Sequence, residues 1–117
     1  MTVGTWHFGN ASDDGPSHRG WFVGHFIEDD ALRRSDDVEI KWGVHPAGDK
    51  RTSWQGDEHR TTVLLLVSGR FRIELSDTSS VLERQGDYAM WGAGVGHSWE
   101  ALADSVVITV RWPSTAG

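Results

Sequence analysis

The sequence contains no cysteine, and this absence excludes disulfide bonds, thiolate metal ligands and a cysteine nucleophile. Basic residues are also few, because 11 lysines and arginines stand against 17 aspartates and glutamates, which gives a net charge of -6. These cations are scattered along the chain. Nucleic acid requires a concentrated basic face that releases counterions, so we expect no nucleic-acid partner.

Long apolar runs are absent as well. No segment approaches the ~20 apolar residues of a membrane-spanning helix, so we expect no membrane partner. The N-terminal sequence lacks both the basic start and the apolar stretch of a signal peptide. The sequence therefore predicts a cytoplasmic protein. Motifs of serine hydrolases, phosphate-binding loops and zinc peptidases are also missing, which leaves those activities without support.

What the chain does have is seven tryptophans in 117 residues. A packed tryptophan buries roughly 150–250 Å², so even a short chain can form a core. The length fits one domain, and we expect a loop-like arm at residues 1–19 followed by a single domain at residues 20–117. Five tryptophans of this domain are predicted mainly to pack its core: Trp42, Trp54, Trp91, Trp99 and Trp112.

Short strand-like runs separated by turn residues make up most of the domain. Residues 61–67 and 70–75, joined at Ser68-Gly69, predict a hairpin, and residues 97–102 and 105–112 predict a second one. Residues 29–34 are the one candidate for a helical turn. Residues 21–27 are predicted to pair with the barrel edge or with a second subunit. Many short strands with glycine-rich turns favour an all-β barrel or sandwich.

One strand has two chemically distinct sides. Apolar side chains alternate with polar ones over residues 38–45, where the apolar set is Val38, Ile40, Trp42 and Val44 and the polar set is Glu39, Lys41 and His45. Since the polar face of most β-sandwiches is solvated, we predict that the polar set faces solvent. The alternative is a cavity lined by an acid, a base and an imidazole. Arg111 alternates with apolar neighbours and is also predicted to lie outside.

Two degenerate motifs between about Trp42 and Pro113 resemble those of the cupin superfamily. The second motif, G-x5-P-x-G-x2-H-x3-N, is matched at Gly86, Gly94 and His97. The first, G-x5-H-x-H-x3,4-E-x6-G, is matched only at its closing glycine, Gly69. The resemblance implies a cupin-type double-stranded β-helix, which is a jelly-roll barrel with its functional site in the interior.

The resemblance also implies a metal site, since cupin metals usually rest on three imidazoles and a carboxylate that suit Fe, Mn, Ni or Zn. Counting back from Gly69 places Thr62 at the glutamate position and Glu58 at the second histidine. With the longer spacing, Asp57 takes that histidine position instead. A reduced site built from Glu58, His59 and His97 is the metal-binding hypothesis. Its alternative is that His97 is a hydrogen-bonded polar residue of the pocket.

Several further residues are candidates for ligand binding. If His97 points inward, the two-residue period of a strand sends Trp99 inward too. Arg51 and Arg60 flank the region where a cupin barrel opens, and they could hold an anionic group through bidentate contacts. The other predicted pocket residues are Tyr88, Met90, Trp54 and Thr62.

Three functions remain open. The first is a protein that binds a small molecule in a tryptophan-rich interior, with a degenerate or absent metal site. The second is a cupin enzyme, an oxygenase or isomerase of a small metabolite, in which Glu58 and His97 bind a metal or His97 acts as the acid or base with Glu58 orienting it. The third is a dimeric structural module whose contacts run through residues 21–27. The resemblance implies a homodimer, because single-domain cupins are commonly dimers.

Overall fold

The computed structural model describes residues 6–51, 53–54 and 59–115. Within these ranges, eight strands form two antiparallel sheets, and helix is limited to two short turns. The strands are β1 (Trp21–Val23), β2 (Glu39–His45), β3 (Thr61–Ser68), β4 (Phe71–Leu75), β5 (Ser79–Leu82), β6 (Tyr88–Trp91), β7 (His97–Ala101) and β8 (Ser105–Trp112). The turns are α1 (Ala11–Asp14) and a 3-10 turn (Pro16–His18). The predicted all-β architecture is confirmed.

The larger sheet has the strand order β1-β2-β8-β3-β6, and the smaller sheet has the order β5-β4-β7. Among these eight strands, the chain passes from one sheet to the other at four places, between β3 and β4, β5 and β6, β6 and β7, and β7 and β8. Buried apolar side chains fill the space between the sheets: Leu64, Leu66, Phe71, Ile73, Leu82, Trp91, Ala101 and Val107. Burying one large apolar side chain contributes roughly 1.5–3 kcal/mol, so this layer holds the two sheets together.

Both predicted hairpins are wrong, because the two strands of each belong to different sheets. β3 pairs with β8 and β6, whereas β4 pairs with β5 and β7. The chain changes sheets at Gly69, whose φ is +99° and where a Cβ would lie 2.3 Å from the carbonyl oxygen of Asp104. The Ser105 hydroxyl accepts a hydrogen bond from the Arg70 amide at 3.1 Å and donates one to the Ala103 carbonyl at 2.7 Å. The β3–β4 and β7–β8 crossings therefore meet and hold each other at one corner.

The N-terminal segment differs from its prediction as well. The predicted loop-like arm at residues 1–19 contains α1, and the side chain of the N-cap residue Asn10 accepts a hydrogen bond from the Ser12 amide at 2.8 Å. Residues 29–34 form turns rather than a helix. β1 pairs with β2, which places it on the edge of the larger sheet, as one of the two sequence alternatives stated. None of the helices in the described ranges is long and apolar enough to span a membrane.

The tryptophans are divided between core and surface. Trp91 is buried in the core and Trp99 packs against it, as predicted. Trp54 and Trp112 are exposed, so the core prediction is wrong for these two. Trp112 follows Arg111 in β8, and the alternation of the strand turns Trp112 outward because Arg111 points in.

Candidate functional site

The polar side of β2 faces the interior, and the prediction that it is solvated is wrong. Glu39 is 1% exposed, whereas Val44, on the apolar side of the same strand, is exposed. Lys41 and His45 line an interior cavity. Directly opposed residues of an antiparallel pair share a face, and Arg111 is opposite Glu39 on β8. The prediction that Arg111 lies outside is therefore also wrong.

Glu39 is the centre of a buried polar cluster at one end of the cavity. Arg111 donates to its carboxylate through Nε at 2.8 Å and also through Nη2. The Ser114 hydroxyl donates to it at 2.9 Å, and the Nε of Arg60 lies 3.6 Å away. His25 Nδ1 contacts the Ser114 hydroxyl at 2.8 Å and lies 3.8 Å from Glu39 Oε1. A buried carboxylate is stable only when it is paired and hydrogen-bonded. These contacts tie β2 and β8 to the segments that carry His25, Arg60 and Ser114.

The cavity lies between the two sheets and measures about 70 Å³, enough for a few water molecules or a small molecule. Three cations line it: Lys41, Arg51 and Arg111. Its other polar lining includes the imidazoles of His45 and His97. The aromatic lining is provided by Trp21, Phe71, Trp91 and Trp99.

Lys41 has an unusual environment for an ammonium group. Its Nζ lies 5.7 Å from the centroid of the Trp21 ring, and the Arg111 guanidinium carbon lies 4.2 Å from the same centroid. Burial and the positive charges of Arg51 and Arg111 lower the pKa of Lys41 below its ordinary value of 10.5. Among the residues that the structure describes, no side chain forms a hydrogen bond or ion pair with this ammonium.

The imidazoles and indoles form a packed wall. The Trp99 ring stacks on Phe71 at a centroid distance of 5.2 Å and contacts the His45 ring at 4.5 Å. His97 contacts the Trp91 ring at 4.8 Å. The Asp49 carboxylate lies 2.8 Å from Nδ1 of His45 and orients this imidazole, which leaves its other nitrogen as the acid or base of the pair.

Some of the predicted site residues lie in this cavity. His97 and Trp99 both face inward from β7, opposite Leu75 and Ile73 of β4, in agreement with the two-residue period. Thr62 is buried and lines the same cavity, and so does Arg51. These four residues remain candidates for binding a ligand.

Other predicted site residues lie elsewhere. Tyr88 and Met90 are 63% and 52% exposed on the outer side of β6, so placing them in the pocket is corrected; Trp91 occupies the inner side of that strand. Trp54 is exposed. Arg60 is an ion-pair partner of Glu39 and does not line the cavity. Glu58 lies outside the described residues, as does Asp57.

Of the residues of the predicted metal site, the structure describes His59 and His97, which do not converge, whereas Glu58 lies outside the described residues. His59 points away from the cavity, because its Nε2 contacts the Thr115 hydroxyl at 2.8 Å near the surface. Within residues 6–51, 53–54 and 59–115, no three His, Asp or Glu side chains converge to hold a metal. The lining cations Lys41, Arg51 and Arg111 would also repel one. Of the two predicted ligands that the structure describes, His97 lines the cavity and His59 does not.

Sequence reasoning did not select Lys41, His45, Trp21 or Arg111 for the site. The alternation over residues 38–45 carries a signal for Lys41 and His45, because it also admits an interior orientation of the polar side of β2. For Arg111 the signal was that β8 also alternates polar and apolar residues, in phase with β2. Two neighbouring strands with the same alternation share one polar face, and that face can enclose a cavity.

Comparison with solved structures identifies the fold of the chain. No family model matches the chain, and no curated protein matches its sequence. Solved structures do match: KdgF from a Halomonas species has 23% identity and a TM-score of 0.63 over 69% of this chain and 74% of that one. An RmlC-like cupin from Shewanella frigidimarina has 16% identity and a TM-score of 0.62 over 69% and 70% of the two chains. A cupin superfamily protein from Desulfitobacterium hafniense has 20% identity and a TM-score of 0.60 over 67% and 69%.

These identities are low, so the likeness concerns the fold alone. It agrees with the two facing sheets, with the strand exchange between them and with the motif residues Gly69, Gly86, Gly94 and His97. The chain has the cupin fold, the double-stranded β-helix that its sequence resembles.

Proposed function

We propose that the protein binds a small anionic molecule, such as a carboxylate, in the cavity between its sheets. The observation that carries this proposal is the position of Lys41, whose half-buried ammonium lies beside two further cations and has no acidic hydrogen-bond partner among the described residues. A bound anion would relieve the repulsion between these cations. Charge-assisted hydrogen bonds from lysine and arginine are among the strongest available for this purpose.

The remaining lining supports a small organic anion. Trp21, Trp91 and Trp99 present apolar ring faces, and polar groups are few, which is the usual composition of a small-molecule site. At about 70 Å³ the cavity is smaller than the roughly 300–1,000 Å³ of drug-sized pockets. It accommodates a compact molecule or the charged end of a longer one. The predicted cytoplasmic location stays a prediction.

Anion binding is tested by thermal unfolding in the presence of oxalate, acetate and phosphate at constant ionic strength. A ligand at 100 times its Kd stabilises the folded state by about 2.7 kcal/mol, so we expect at least one of these anions to raise the melting temperature. Lys41→Met should weaken the binding of that anion by about tenfold or more, since a hydrogen bond to a charged group contributes roughly 1.5–3 kcal/mol. Lys50→Met is the control, because Lys50 is exposed.

The proposal fails if none of the three anions changes the melting temperature beyond the effect of chloride. It also fails if Lys41→Met and Lys50→Met weaken binding equally, because binding would then be a property of the whole surface.

A metal-free proton-transfer activity is the second candidate, favoured by the contact between His45 and Asp49. An imidazole oriented by a carboxylate can act as a general acid or base. His97, which the sequence had suggested for this role, lines the same cavity, and its Nδ1 contacts the Val95 carbonyl at 3.3 Å.

We also propose that the protein is a homodimer joined through the outer face of the larger sheet. Apolar side chains on the outer sides of β2, β8, β3 and β6 lie next to one another, as the registers Ile40↔Val110, Val63↔Val110 and Val63↔Met90 indicate. No charged residue interrupts this outer face, which includes Ile40, Trp42, Val44, Thr61, Val63, Leu65, Tyr88, Met90, Val106, Ile108, Val110 and Trp112.

A second copy is the occupant that best fits this face. Monomers rarely expose contiguous apolar patches of more than a few hundred Å². Four strands spaced ~4.8 Å apart and roughly 20 Å long cover about 400 Å² of sheet, which is about half of the ~800 Å² per partner of a standard specific interface. A face without charges can pack against its own copy across a two-fold axis. This interface replaces residues 21–27, which the sequence had suggested, because β1 is paired with β2.

Val110→Glu is expected to raise the dimer Kd by about 100-fold, since an unpaired buried charge costs several kcal/mol. Met90→Lys, at an exposed position, makes the same test with less risk to folding. Ser79→Lys, exposed on β5 of the other sheet, is the control and should remain dimeric. Sedimentation equilibrium gives the mass, and a wild-type protein that stays monomeric at high micromolar concentration would disprove this interface.

A further inference from the structure

Lys41 occupies a fixed position in the cavity wall. It lies in the middle of β2 opposite Thr109, with its side chain on the inner face. A Cβ at Gly20 would lie 3.3 Å from both Cγ and Cε of Lys41, so the lysine stem is packed against the backbone there. Its Nζ lies near the ring of Trp21. This packing holds the half-buried lysine side chain along the cavity wall.

The charges facing Lys41 come from several elements. Arg51 after β2, Arg111 on β8 and Arg19 after the 3-10 turn disfavour its protonated form, and among the described residues Asp49 favours it. Together with burial, these cations lower the pKa of Lys41, so a larger share of the amine is neutral at pH 7. A neutral amine with a free electron pair is a nucleophile, and desolvation beside other cations is a recognised way to activate a lysine.

Resting on the anion binding proposed above, we propose that Lys41 forms a reversible imine with a small carbonyl compound that carries a carboxylate, such as a 2-oxo acid. The lining cations hold the carboxylate and thereby place the carbonyl carbon near Nζ. The nitrogen electron pair attacks that carbon, and the electrons of the C=O bond move to oxygen, which takes up a proton to give a carbinolamine. Loss of water then forms the C=N bond. His45 and His97 line the same cavity and are the groups available to move these protons.

The chain has two lysines, Lys41 and Lys50, which makes this proposal simple to test. The full-length protein is incubated with glyoxylate and sodium cyanoborohydride at pH 7, so that any imine is reduced to a stable secondary amine. Peptide mapping by mass spectrometry then measures the labelling rate at each lysine and at the N-terminal amine. We expect Lys41 to react about tenfold faster than the exposed Lys50. Its rate should rise with pH from a lower pH than an amine of pKa 10.5 would show.

Matched variants separate the outcomes. Lys41→Arg keeps a cation but should abolish the fast label, whereas Lys50→Arg should retain it, and circular dichroism checks that both are folded. Oxalate, which has no reactive carbonyl, is tested in parallel through the melting temperature. Oxalate binding with Lys41 labelled no faster than Lys50 overturns the imine and leaves the anion site standing. If no tested anion binds and Lys41 is not labelled, both proposals fall.

Discussion

Glu39→Ala is expected to lower the free energy of unfolding by about 3–5 kcal/mol, because it leaves buried cations without their counter-charge. The carboxylate is 1% exposed and binds Arg111 and Ser114 directly, with Arg60 close by. Urea unfolding at a fixed protein concentration measures the loss. Glu39→Gln keeps an oxygen acceptor for Ser114 but removes the charge, so it should lose less than the alanine variant.

The matched control for Glu39 is Glu83→Ala. Glu83 also faces an arginine, Arg70, at 3.3 Å, but both side chains are more than half exposed. An exposed pair contributes about 0–1 kcal/mol, so this variant should remain close to wild type. Equal losses at the two positions would mean that the Glu39 cluster does not hold the fold together in the way proposed.

Phe71→Ala is the second substitution with a large expected effect, about 3–5 kcal/mol of lost stability. Phe71 is 1% exposed and lies between the sheets, where its ring stacks on Trp99 and lies 5.5 Å from the ring of His45. Its removal leaves a void that the strands of two sheets cannot close. The same void adjoins the cavity, so the variant should also admit bulkier carboxylates.

Phe8→Ala is the control for Phe71, because it removes the same side chain from a position that is 87% exposed. A surface substitution of this kind usually changes stability by no more than about 0.5 kcal/mol. Denaturant midpoints of the two variants give the comparison directly. A loss at Phe71 as small as that at Phe8 would show that the layer between the sheets is not tightly packed.

The positions of most strands could be predicted from the sequence, but their partners could not. Alternation and turn residues act over a few positions, and they located β2, β3, β4 and β8 well. Whether the turn at Gly69 makes a hairpin or a corner depends on Ser105, which lies far along the chain and ties the corner from the crossing between β7 and β8. The two wrong hairpins follow from this limit of local patterns.

The sequence predicts which residues share one side of a strand at the candidate site, but it does not predict which side faces the interior. Alternation correctly separated Glu39, Lys41 and His45 from their apolar neighbours, but it does not state which side is inside. That choice depends on the pairing of Glu39 with Arg111, 72 residues away. Because alternation does not state which side of a strand faces the interior, Tyr88 and Met90 were predicted on the inner side of β6, whereas they lie on its outer side. Trp99 was placed correctly because the motif residue His97 fixed the phase of β7.

The two-sided chemistry of β2 and β8 has a consequence for how precisely these strands can align. Sliding either strand by one residue would invert every side chain along it. The charged groups of Lys41 and Glu39 would then lie on the apolar outer face. The apolar side chains of Ile40, Trp42 and Val44 would in turn lie among the charged groups of the interior. Misalignment is penalised on both surfaces at once, so this pair of strands has a single low-energy alignment even though its outer face is as apolar as a core.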